Sequence, residues 1–148
     1  MAVGDITIYD EAMAYMFDGG WATTDNIAID LVLATSTPAD TDLTPDPTNY
    51  NLATSTEGET ILCDWATFVS QASGALTMDD DSASVTWAQG GGNSTTVRWA
   101  IIYNTTATTP HANPCIAFVD LGSNRDLTAG SLTITWNASG IITGTKSP

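Results

Sequence analysis

Positive charge is almost missing from this chain: Arg98, Arg125 and Lys146 stand against seventeen acidic residues, for a formal net charge of -14. A surface of that sign repels phosphate backbones over a Debye length of about 8 Å in cellular salt, which excludes nucleic acid as a partner. Long apolar runs are missing too. Nothing approaches the roughly eighteen residues of a membrane helix, so no membrane partner is expected. The N-terminus has neither the basic start nor the apolar core of a secretory signal, and a soluble chain, complete as written, is expected.

Histidine occurs once, as His111 in "TTPHANP", a polar loop between prolines. Nucleophilic catalysis needs a base within reach of Ser or Cys and usually a carboxylate behind it. With one histidine and no GxSxG elbow, His111 is expected to be a surface residue in a turn. The glutamates are only Glu11, Glu57 and Glu59, and the aspartates fall mostly in turns, where they bond backbone amides; this argues against paired carboxylates for glycoside hydrolysis. No catalytic residue is expected, and the chain is not expected to be an enzyme.

The two cysteines, Cys63 in "ILCDWATF" and Cys115 in "NPCIAFVD", match no CxxC or Cys/His metal spacing. Both lie in apolar strand-like runs, so two free, buried thiols are expected; a bridge would require neighbouring strands. Asp79, Asp80 and Asp81 in "MDDDSAS", and Asp40, Asp42 and Asp46 in "TPADTDLTPDP", offer oxygen ligands, but neither run has the glycine and bidentate glutamate of a calcium loop. Solvated turns are expected there, with no metal and no cofactor.

Threonine, by contrast, is abundant, with twenty-five residues, and β-branched side chains suit a pleated surface. "DITIYDEAMAYMFDGG" spaces Ile6, Tyr9, Met13, Met16 and Phe17 as on a helix, with Asp10 and Glu11 in an early turn and Gly19-Gly20 as its stop. This is the one helix expected, and its stripe suits either the core or a partner surface. "NIAIDLVLA" alternates as a strand, and "TSTPADTDLTPDPTNYNLATSTEGE", Thr35 to Glu59, has the composition of a long surface loop. Loops of more than about 15 residues are uncommon in compact domains and tend to be functional or held by a partner.

Strands are then expected in "TILCDWATFVS", "ALTMD", "ASVTWA", "TTVRWAIIY", "PCIAFVDLG", "SLTITWN" and "GIIT". "SLTITW" puts Leu132, Ile134 and Trp136 inward, whereas "AIIY" and "CIAFV" are apolar on both faces and belong at the centre or under another chain. The fold class expected is mostly β: one antiparallel β-sandwich over residues 1–148, jelly-roll or Ig-like, with one short N-terminal helix. Of the tryptophans, Trp65, Trp87, Trp99 and Trp136 alternate within strands as core residues, and Trp21 is the one to test for a contact.

The wording of "TTVRWAIIYNTT", "PCIAFVDLG" and "SLTITWNASGII" resembles a family of small tailed-bacteriophage virion proteins. The matching residues are Leu33 to Ser36, Arg98 to Tyr103, Pro114 to Gly122 and Leu132 to Ile142. The resemblance implies a β-sandwich virion component without enzymatic activity: a capsid decoration, or cement, protein on the capsid exterior, assembled in the host cytoplasm. Its partner would be the major capsid protein, and a homo-oligomer is a fair expectation because such proteins often sit at symmetry axes. Contact is expected through the N-terminal segment 1–20, with Ile6, Tyr9, Met13, Met16, Phe17 and the adjacent Trp21, and through the loop 35–59. The alternative is a tail or fibre module that binds host-surface carbohydrate.

Overall fold

Three apolar runs form the centre of the molecule. The computed structural model describes residues 4–18, 20–72, 75–79 and 84–145. In chain order it comprises β1 (Ile6–Ile8), α1 (Asp10–Asp18), β2 (Asn26–Leu33), β3 (Thr60–Asp64), α2 (Trp65–Phe68), β4 (Val69–Ala72), β5 (Ala75–Met78), β6 (Ser84–Trp87), β7 (Val97–Asn104), β8 (Cys115–Arg125), β9 (Leu132–Thr135) and β10 (Ile142–Thr145). The main sheet has five strands in the order β1-β8-β7-β2-β3, all antiparallel, while β10-β5-β4 and β6-β9 form two smaller sheets. The fold is mostly β and sandwich-like with a short N-terminal helix, as the periodicities imply.

The runs "AIIY" and "CIAFV" are adjacent strands, pairing Ile101 with Phe118 and Ile102 with Ala117. Residues opposite one another in an antiparallel pair share a face. One face of the main sheet therefore carries Ile29, Leu31, Ala100, Ile102, Ala117 and Val119, all buried. The smaller sheets bring Met78, Val85, Trp87 and Trp136 to the same continuous core. In β9, Leu132 and Ile134 are half-buried between exposed threonines and Trp136 beyond them is buried, the alternation expected of a strand with one wet face.

The opposite face carries Ala28, Asp30, Val32, Trp99, Ile101, Tyr103 and Phe118. It too is covered, by this chain's own N-terminal segment and long loop. Tyr9 lies with its ring 5.1 Å from that of Phe118, and its hydroxyl donates to the Tyr50 hydroxyl at 3.0 Å.

Two local features depart from the sequence reading. "TILCDWATFVS" is not one strand: the Asp64 carboxylate accepts from the Thr67 amide at 2.7 Å and caps the one-turn α2 between β3 and β4. At the other end of the sheet, β8 bulges opposite Arg98, since Val97 pairs with Arg125 but Trp99 with Asp120. Arg98 holds that bulge: Nη1 donates to the Gly122 carbonyl at 2.9 Å, Nη2 to Asp120 Oδ2 at 2.8 Å, and Nε sits 2.8 Å from Oδ1. Gly122 adopts φ 81°, where a side chain would be strained.

Asp30 is 6% exposed, and one step beyond the paired Ile29 and Thr60 the register puts Glu59 opposite it. Burial, then the Glu59 charge, push the Asp30 carboxyl up from 3.8 to about 6, against the Leu31 amide that favours its ionised form. The folded chain thus holds this proton more tightly than the unfolded one, so the stability it contributes is complete below the unfolded value and lost as pH rises through about 6. Asp30→Asn is expected to stabilise the protein by about 1–2 kcal/mol near neutral pH, with the gain disappearing near pH 4; denaturant titrations at the two pH values check it.

Candidate functional site

The N-terminal segment is not a single helical stripe. Residues 6–8 take the hydrogen-bonding edge of β8, pairing Ile6 with Val119, and the helix starts only at Asp10, with Asp10 and Glu11 in its first turn. Ile6 is therefore a half-buried strand residue and Tyr9 a fully buried core residue. Met16 is half-buried against the core, and Met13, 41% exposed, is the most open of the named residues. The Phe17 side chain and Gly19 lie outside the described residues, as do Asp80, Asp81 and Lys146.

Trp21 is buried in an aromatic cluster, its ring 4.8 Å from Trp65 and 5.8 Å from Tyr15, and its Nε1 donates to the Thr109 carbonyl at 3.3 Å. Gly20 makes this possible, since a Cβ there would meet the Tyr15 ring at 2.0 Å. Tyr9 and Trp21 are thus anchors of the chain's own core. Trp21→Ala is expected to cost about 3 kcal/mol in a denaturant titration, as large aromatic truncations do.

The 35–59 loop is ordered by bonds along its whole length. The Leu33 amide donates to the Asn51 carbonyl and the Ala53 amide to the Leu31 carbonyl, extending the sheet beyond β3. The Asp10 amide donates to the Asp40 carbonyl at 3.0 Å, and the Cys115 amide to the Pro45 carbonyl at 2.7 Å. Pro38, Pro45, Pro47 and Ala53 are buried beneath it. Trp87 Nε1 reaches the Gly58 carbonyl, and the Tyr103 hydroxyl donates to Glu59. What the polar composition concealed is Tyr50, which joins Tyr9 to Asp42; the signal was a lone aromatic in a run of Thr, Asp and Pro.

The aspartates of this loop act as turn caps. Asp42 accepts from the Ala39 amide and the Tyr50 hydroxyl, and Asp46 accepts from the Thr48 amide and precedes a 3-10 turn at Pro47–Asn49. Among the described residues no group of three or more His, Cys, Asp or Glu could hold a metal ion. The loop's outer side carries Leu43, 88% exposed.

His111 has a structural partner: Nε2 lies 2.7 Å from Glu11 Oε2, fastening the 105–114 connection to α1. Its Nδ1 is 3.1 Å from the Ala112 carbonyl, so neither ring nitrogen is directed at Cys115. Cys63 on β3 and Cys115 on β8 are separated by β2 and β7, about 14 Å of sheet, beyond disulfide reach. Neither cysteine is in a disulfide, both are buried, and burial pushes the Cys115 thiol well above its usual range. A thiol-specific reagent is therefore expected to label neither cysteine in the native protein and both after denaturation.

No protein-family model matches the chain, and no curated protein or solved structure matches it. Among the described residues no helix is long and apolar enough to cross a membrane.

Proposed function

We propose that this is a non-enzymatic virion component, a capsid decoration protein that binds the outside of a bacteriophage head and bridges major capsid protein subunits. The observation that supports it most is the 35–59 loop, a long segment bonded into one arrangement with an apolar side chain, Leu43, turned to solvent. Ordering a loop before binding lowers the entropy that association must supply, which suits a contact element. The segment resemblance around Arg98 to Tyr103 and Pro114 to Gly122 points the same way.

The physical logic is additive. Many copies, each contributing an interface of about 1,000 Å² or more, lock a shell against internal pressure without catalysis. Strong acidity keeps copies apart in the host cytoplasm until the shell is present, after which a symmetric homo-oligomer on the capsid exterior is compatible with the same surface. A carbohydrate-binding tail or fibre module would draw on a tryptophan platform, yet Trp21, Trp87 and Trp136 are buried and Trp65 and Trp99 half-buried.

Quantitative mass spectrometry of purified particles tests the proposal. On the order of hundreds of copies per particle are expected on the head, since shell symmetry multiplies the sites. A count of about six or twelve would assign it to a tail or neck, where rotational symmetry is low, and absence from particles would overturn it.

A further inference from the structure

We infer that the stretch of the 35–59 loop around Leu43 is the docking element itself: Leu43 enters an apolar socket on the shell protein, and a Lys or Arg beside that socket fills the concavity next to Leu43. This rests on the decoration reading and names its contact.

Among the described residues Leu43 is far more open than the other exposed large apolar side chains, at 88% against 50% for Ile61, 41% for Met13 and 39% for Leu52. It is also held in place on both sides. Before it, the Asp42 amide donates to the Ala39 carbonyl at 3.1 Å, and the Asp42 carboxylate accepts from the Ala39 amide at 3.1 Å and the Tyr50 hydroxyl at 2.7 Å. After it, Asn49 Nδ2 donates to the Thr44 carbonyl and the Cys115 amide to the Pro45 carbonyl. A leucine fixed in water by its neighbours gains from burial without losing loop entropy on binding.

Beside it lies a concavity of about 430 Å³ lined by Asp42, Leu43, Thr44, Asn49 and Tyr50, with Ser36 and Thr37 at its edge. Its polar groups include a carboxylate and an amide, and Asp40 and Asp46 stand on the same loop. The charge selects the occupant. A second copy of this chain, at -14, would bring like charge against like, whereas a basic rim around an apolar socket is complementary.

The test uses shells of the carrying particle, stripped of this protein, and the full chain added back. Leu43→Ser is expected to weaken binding by about tenfold or more, and Leu43→Met to bind within about threefold of the wild type. Raising salt is expected to weaken the wild type. Because Leu43 is exposed, both variants should keep the wild-type unfolding midpoint. Wild-type affinity in Leu43→Ser would overturn the docking role while leaving decoration intact, and salt-independent binding would overturn the basic rim. Loss of self-association in Leu43→Ser, with shell binding retained, would mean that a second copy, not the shell protein, covers Leu43. A wild-type chain that does not rebind shells would overturn decoration and docking together.

Discussion

Strands β2, β7 and β8 carry large apolar side chains on both faces, and a sheet of that kind must have both faces kept from water. Ile29, Leu31, Ile102 and Val119 look one way, Val32, Trp99, Ile101 and Phe118 the other, and each set far exceeds what a wet face tolerates. The two smaller sheets add Met78, Val85 and Trp87 to the continuous core, and Trp136, just past β9, lies beside Val119 of the first set. The second set is covered from within the same chain. The N-terminal segment and a loop of Thr, Asp and Pro cover it, through Tyr9 on Phe118 and Tyr50 on Tyr9.

A polar loop can serve as a layer because its backbone groups are paired. The bonds from Leu33 and Ala53 join it to β2, and those from Asp10 and Cys115 tie it to α1 and β8. The arrangement carries an electrostatic cost. Asp30 is sealed beneath this layer with Glu59 opposite, in a chain whose described cations, Arg98 and Arg125, lie at the β8 bulge, where Arg98 holds Asp120. Covering the sheet from inside the chain leaves the loop's outer surface free, and that is where Leu43 is presented. One element thus serves stability with its inner side and the proposed shell contact with its outer side.

Departures from the sequence reading have local causes. The spacing of Ile6, Tyr9, Met13 and Met16 fits a helix, but an unpaired edge of β8 recruits residues 6–8 as a strand and leaves Asp10 to begin the helix. Asp64 breaks an apolar run by capping a turn, a signal present in "DWAT" yet weak beside the β-branched residues around it. His111, whose neighbours in sequence suggest only a turn, meets Glu11 a hundred residues away.

By itself the sequence determined the mostly β class, the apolar character of both faces of the two central runs, the alternation in β9 and the polar connection that holds His111. These follow from side-chain periodicity and turn chemistry, which act over a few residues. Only the tertiary structure decided that Tyr9 and Trp21 belong to the core, that Cys63 and Cys115 lie three strands apart, and that the long loop covers the second face while leaving Leu43 exposed. Each of those depends on which strand edges and faces remain uncovered once the sheet has formed, and that is settled between segments distant in the chain.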